Sequence, residues 1–261
     1  MNTQRSSRGI GAEIARELSR RGARIVLNYP YPSLAEECNA VGLTLQTEWI
    51  AICADLSTEH GPAELVQQAV ARFTHIDILV NNAGWVPLAP LAESTTEIWS
   101  GAMDLNARGA FLLTKAVLPH LPPHVPPDLP TSPSPSGAPD GSRIIIVGSS
   151  ASRQAREGQS VYAATKGALE SMMRVWAREL PPRHGCTVNM VAPGPVLTEA
   201  FRDNLGSHFD QVLEVAAKET PVQGGFASTA DVAWAVAFFA EERSRFLNGV
   251  WLPLSGGRWM H

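Results

Sequence analysis

The chain is 261 residues long, 44% hydrophobic and 18% charged, with a formal net charge of -4, which gives one globular domain enough apolar material for a substantial core. Twenty-one Lys and Arg against twenty-five Asp and Glu leave no basic excess for a nucleic-acid backbone or an anionic membrane surface. Apolar runs such as Ile144 to Val147 are too short to span a bilayer and MNTQRSSRG holds no apolar signal core, so a cytoplasmic location is expected.

Short β-branched runs alternate with longer stretches of helical period. Strands are expected at Arg24 to Leu27, Trp49 to Cys53, Ile76 to Val80, Arg143 to Val147, Thr187 to Val191 and Gly249 to Leu252. Helices are expected at Ile10 to Arg21, Leu34 to Val41, Pro62 to Phe73, Thr95 to Leu121, Ser160 to Leu180 and Asp231 to Glu241. Ile10, Ile14 and Leu18 share one helix face, Gly22 supplies a stop, and Ser228 or Thr229 supplies a polar start. The alternation reads as α/β, a single domain over residues 1–261 with a parallel sheet. Nine of the twenty prolines lie between Pro119 and Pro139, where fixed φ angles and missing donors exclude helix and inner strand, so a surface insertion is expected at about 119–141. Cys38, Cys53 and Cys186 are widely spaced without a CxxC pair or a nearby His, and read as small apolar residues; no metal is expected.

Gly9-Ile10-Gly11 stands immediately before an amphipathic helix, where unpaired N–H groups and the positive end of the dipole suit a pyrophosphate; a plain turn fits these residues too. Asn81-Asn82-Ala83-Gly84 follows an apolar strand, at the end where open α/β sheets bind ligands. Tyr162 and Lys166 are four apart on a helix and share a face, where an ammonium favours the ionised phenol. Ser149 ends the strand Arg143 to Val147, on the same sheet edge.

Arg8-Gly-Ile-Gly, Ala54-Asp55-Leu56, Asn81-Asn-Ala-Gly, Asn106, Ser149, Tyr162-Ala-Ala-Thr-Lys166 and Pro193-Gly194-Pro-Val-Leu-Thr198 stand in an order and spacing that closely resembles the short-chain dehydrogenase/reductase family over nearly the whole chain. The resemblance implies a Rossmann-like doubly wound sheet and hydride transfer between a nicotinamide and a carbonyl. Tyr162 would be the general acid, Lys166 would lower its pKa and hold the nicotinamide ribose, Ser149 would bind the carbonyl oxygen, and Asn106 would hold a relay water. Gly9, Ile10, Asp55, Asn82, Ala83, Gly84, Pro193, Gly194, Val196 and Thr198 would line the dinucleotide, Asp55 at the adenine and Thr198 near the carboxamide. The resemblance also implies a homodimer or homotetramer, joined by the helices Thr95 to Leu121 and Ser160 to Leu180 and by the tail Asn248 to His261.

The second strand ends Val26-Leu27-Asn28-Tyr29 without the carboxylate that binds ribose hydroxyls, and Arg8 can meet a 2′-phosphate, so NADP(H) is favoured over NAD(H). The substrate loop is expected at about 198–226, where Phe201, Phe209, Val212, Leu213, Val215 and Phe226 suggest an apolar lid, with Trp85 and Met190 as further pocket candidates. The expected activity is reduction of a ketone, or oxidation of a secondary alcohol, on a small hydrophobic, polyketide-like or other secondary-metabolite substrate. A redox-inactive binding or scaffold protein and a redox-neutral dehydratase or cyclase are the alternatives.

The family pattern departs at the start. Aligned on Gly9 and Gly11, Gln4 and Arg5 occupy the places of the motif's Thr and first Gly, and only MNTQRSS precedes Arg8, so the first strand is expected to be missing. That strand would lie mid-sheet, and its loss would leave backbone groups unpaired and the core open. A mis-assigned start or lost exon, a chain that binds cofactor poorly, and a variant in which residues 1–7 or a partner chain patch the gap all fit.

Overall fold

The computed structural model describes residues 8–123, 141–154, 156–198, 201–202, 206, 209–222 and 225–259. Most of the proline-rich insertion expected at about 119–141 and parts of the region 198–226 lie outside the described residues.

The chain forms, in order, α1 (Gly9–Arg20), β1 (Ile25–Tyr29), α2 (Ala35–Gly42), β2 (Trp49–Cys53), α3 (Gly61–Phe73), β3 (Ile78–Asn81), α4 (Thr96–Ala102), a π-helical turn (Met103–Gly109), α5 (Ala110–Val117) and β4 (Arg143–Val147). There follow α6 (Ser160–Glu179), α7 (Pro181–His184), β5 (Thr187–Pro193), α8 (Phe209–Glu219), α9 (Thr229–Ala240) and β6 (Trp251–Leu254). The fold is Rossmann-like α/β, and every strand pairing is parallel. The sheet comes in two pieces among the described residues, β1-β2 and β3-β4-β5-β6. The gap falls between β1 and β3.

Every residue of β4 is buried. Its alternation divides the core: Ile144 and Ile146 join the cluster under α3, α5 and α6, while Ile145 and Val147 join the cluster under α1 and α9. This is how a parallel strand covered on both faces must be built. Helix ends follow local chemistry. The Ser228 hydroxyl accepts from the Asp231 N–H while the Asp231 carboxylate accepts from the Ser228 N–H, a reciprocal cap that starts α9. Gly185 takes φ +58° to stop α7.

Two expected elements differ. The helix expected from Thr95 to Leu121 is interrupted by the π-helical turn, and Gly109 at its end packs so close to the Leu56 carbonyl that a Cβ would collide. A second helix, α8, occupies the region expected to be a loop after Thr198; its apolar face was readable only as scattered aromatic and aliphatic residues. No helix among the described residues is long and apolar enough to cross a membrane.

Ile145 is 1% exposed at the centre of the sheet. Ile145→Ala should cost about 2–5 kcal/mol of stability, measured as a lower urea midpoint with unchanged m-value.

Candidate active site

The carboxyl end of β4 delivers the first group. Gly148 packs against Met190 Sδ so tightly that a Cβ would collide, which lets the chain turn at Ser149. The Ser149 hydroxyl oxygen accepts from the Ala151 N–H at 3.1 Å and hydrogen-bonds the Tyr162 phenol. Met190, a pocket candidate from sequence, is instead fully buried beneath this turn.

Helix α6 supplies the next two groups, one turn apart. Lys166 is 4% exposed, and its Nζ donates to the Val147 carbonyl at 2.9 Å. Burial pushes its ammonium down to about 8. The Lys166 Nζ lies 5.8 Å from the centroid of the Tyr162 ring. Burial raises the Tyr162 phenol above its ordinary value, and the Ser149 hydrogen bond only partly offsets this. The Lys166 ammonium is directed at a backbone carbonyl, and for the phenol desolvation outweighs the Ser149 hydrogen bond.

Asn106 is fully buried in the π-helical turn. Its Nδ2 donates to the Trp85 carbonyl at 2.8 Å and to Thr165 Oγ1 at 3.0 Å, while its Oδ1 accepts from the Trp85 N–H at 2.7 Å. The turn thereby fixes the loop after β3, and π-helical turns are frequent at functional positions. Gly84 lies against this pair: a Cβ there would sit 3.5 Å from Asn106 Oδ1 and 3.7 Å from Lys166 Nζ. The Trp85 ring packs on Gly101 and the core, so the tryptophan contributes its backbone to the site.

The dinucleotide candidates divide into groups. Gly9 takes φ +57° at the start of α1, and a Cβ on it would lie 3.6 Å from Thr198 Cγ2, so the glycine turn and the Thr198 segment meet. Pro193 ends β5, the Gly194 N–H donates to the Leu254 carbonyl at 3.0 Å, and buried Val196 bridges to Ala227. Ile10, in the first turn of α1, packs on the core. Asn82 and Ala83 line a cavity between β1 and β3. The Asp55 carboxylate, beyond β2, accepts from the Ser57 N–H at 2.9 Å and the Ser57 hydroxyl at 2.7 Å. Arg8 Nε pairs with Glu37 Oε1 at 2.6 Å. Thus a carboxylate stands beside Arg8, although none lies in Val26-Leu27-Asn28-Tyr29. It comes from α2, out of register with any strand pattern.

Four chemically distinct side chains thus converge at the carboxyl ends of β3 and β4, where an α/β sheet binds ligands: this is the layout of a nucleotide-dependent α/β enzyme. A family model described as enoyl-(acyl carrier protein) reductase matches residues 5–258. The short-chain dehydrogenase/reductase FrzI of Cladobotryum sp is 38% identical over 96% of this chain and 92% of its own length. Hydroxynaphthalene reductase arp2 of Aspergillus fumigatus is 29% identical over 96% and 91%. A short-chain dehydrogenase from Burkholderia cenocepacia, solved in complex with NADP, superposes with a TM-score of 0.82 at 32% identity, covering 97% of this chain and 94% of that one. The chain belongs to the short-chain dehydrogenase/reductase family of oxidoreductases.

One buried cluster escaped sequence reasoning. Glu170, 6% exposed on α6, accepts from Ser152 Oγ at 2.7 Å, from both Arg153 nitrogens at 2.9 and 2.8 Å, and from Arg174 at 2.6 Å. Ser152 Oγ also lies 3.0 Å from the Ser149 carbonyl, so Glu170 anchors the turn that carries Ser149. Only the Arg174 partner, four residues on, has a local sequence signal. Burial works against ionisation of Glu170, yet the hydrogen bonds from Arg153, Ser152 and Arg174 prevail and hold it below its ordinary 4.5. Its contribution to stability is full above about pH 4.5 and is lost as pH falls through the depressed folded value. Glu170→Gln should cost about 1–3 kcal/mol at pH 7 and flatten the acid limb of the stability profile, followed by chemical denaturation from pH 7 to pH 3.

Proposed function

We propose that this protein is an NADPH-dependent carbonyl reductase that reduces a small hydrophobic ketone, or oxidises the matching secondary alcohol. The observation that carries the reading is the meeting of Ser149, Tyr162, Lys166 and Asn106 at one sheet edge. In this reading the Tyr162 phenol, protonated at neutral pH as phenols ordinarily are, gives its proton to the substrate oxygen. The Ser149 hydroxyl, whose oxygen accepts from the Ala151 N–H, donates its own proton to that same oxygen and stabilises the charge developing there. Lys166, held by the Val147 carbonyl, orients the nicotinamide ribose and stands ready to restore the phenol proton. Asn106 Oδ1 keeps one lone pair beyond its bond to Trp85, which suits a water beside Lys166. When bound, NADPH would supply the hydride that the carbonyl carbon accepts.

The described residues fit a dinucleotide. Gly9, Ile10, Pro193, Gly194, Val196 and Thr198 would hold the pyrophosphate and carboxamide end, with Asn82, Ala83 and Gly84 along the ribose and Asp55 at the adenine. Support for the phosphorylated cofactor comes from the absence of an acidic residue in Val26-Leu27-Asn28-Tyr29, and from neighbours solved with NADP and with NADPH. Glu37 opposes it, because its carboxylate occupies Arg8. The relative named hydroxynaphthalene reductase supports an aromatic or polyketide-like ketone. Trp99, Phe111 and Val175, exposed on α4, α5 and α6, support a homo-oligomer built across those helices.

A redox-inactive binding protein is the second reading, and it draws on the break in the sheet beside the glycine turn. One titration series separates the two. Tyr162→Phe should leave the NADPH dissociation constant within about twofold while lowering ketone turnover by about 10²–10⁴; NADPH binding without any turnover above that variant over a ketone panel would favour the inactive reading. Glu37→Gln should tighten NADPH about 3- to 10-fold and leave NADH unchanged, read by nicotinamide fluorescence.

A further inference from the structure

A cationic cluster stands beside the candidate active site and takes no part in the proton transfer. Arg156 lies on the connection from Ser149 to Tyr162, and its carbonyl accepts from the Gln159 N–H at 3.2 Å in the turn that leads into α6. The Gly158 carbonyl accepts from the Ala89 N–H at 2.9 Å, so this turn also leans on the loop after β3. From the other side comes the tail beyond β6. It folds back so that Trp259 packs on Gly194, where a Cβ would lie 3.1 Å from the ring, and the Trp259 carbonyl accepts from the Ser255 hydroxyl at 3.1 Å.

The Trp259 ring carries two guanidinium groups. Arg156 Cζ lies 5.2 Å from its centroid and Arg258 Cζ 4.8 Å, both within the range where an aromatic face attracts a cation. Their charges are balanced differently. Arg258 pairs with Glu219, the last residue of α8. Arg156 has no carboxylate partner among the described residues. Burial lowers its guanidinium below the ordinary value with no opposite charge to offset the effect. Arg258 is lowered as well, first by burial and then by the charge of Arg156. Cations enclosed to this degree ordinarily face a partner charge, and Arg156 remains open to solvent on one side, where a ligand can reach it.

We propose that Arg156, held over Trp259, binds the carboxylate of a substrate whose ketone lies at Tyr162, so that the preferred substrate is a keto acid. The inference rests on the carbonyl-reductase reading for the place of the ketone. A ketone between Tyr162 and a nicotinamide beside Gly194 has Trp259 and its guanidinium next along its length. One unpaired guanidinium fork matches one planar carboxylate in a bidentate pair. A phosphate dianion calls for a second cation, and Arg258 is committed to Glu219. Trp259 is a positioning residue that acts through Arg156.

The probes are para-acetylbenzoate and the more flexible levulinate, each with its methyl ester, and para-acetylphenyl phosphate. Binding to the full chain is read by calorimetry with the oxidised dinucleotide present, so that no turnover occurs, and reduction is then assayed with NADPH. At least one acid should bind about fivefold or more tighter than its ester. Arg156→Gln should weaken that acid about 5- to 30-fold, leave its ester within about twofold, and act on KM rather than kcat. Arg156→Lys should recover part of the loss, and Trp259→Leu should move the acid in the same direction by a smaller factor. The unchanged ester shows that each variant is folded. Equal binding of acid and ester, binding of neither, loss of both together in Arg156→Gln, or a phosphate bound more tightly than either acid would each overturn the proposal. Acid binding that depends on Arg156 without reduction of any probe would leave the anion site standing and remove the catalytic reading, whereas reduction of acids and esters at equal kcat/KM would do the reverse.

Discussion

The Lys166 ammonium, buried and donating to the Val147 carbonyl, joins the two elements on which the site is built. Strand β4 is buried on both faces and cannot shift without opening two core clusters. Helix α6 is tied to its end by that bond, and again by Glu170 through Ser152 and Arg153. Ser149 and Tyr162 are therefore brought into contact by supports that lie mostly outside the contact itself. An ammonium this enclosed needs an acceptor to stay charged, and its burial lowers its pKa.

Polar satisfaction shapes the surroundings in the same way. Asn106 meets both backbone groups of Trp85 and the Thr165 hydroxyl, whose own proton goes to the Tyr162 carbonyl at 2.7 Å. One amide thus couples the loop after β3 to the first turn of α6. A regular α-helix would carry Asn106 on a different face, so the π-helical turn is the backbone adjustment that permits this clamp. Enclosure of the phenol raises its pKa above the ordinary value.

The break in the sheet separates the molecule into unequal partners. Ser149, Tyr162, Lys166 and Asn106 belong to or adjoin the four-stranded sheet, whereas Asp55 follows the two-stranded one and Arg8 pairs with α2. The packing of α1 against α9 ties the two together on one face. Ser149, Tyr162, Lys166 and Asn106 thus lie on one side of the gap, and Asp55 on the other.

The α/β class, the order of strands and helices, and the residues of the candidate site were legible from sequence because each rests on local signals: period-two and period-3.6 apolar runs, glycine at turns, and Tyr162 and Lys166 one helical turn apart. Other features depend on distant segments that no local pattern links. Arg153 reaches Glu170 across the Ser149 turn, Glu37 occupies Arg8 from another helix, and the π-helical turn answers to Trp85 and Thr165 rather than to its own residues. The Tyr162 pKa is the clearest instance. Sequence spacing put an ammonium beside the phenol, but only the folded core decides that Lys166 turns to a carbonyl and that the phenol is enclosed enough for desolvation to raise its pKa, because burial is a property of everything that surrounds a group.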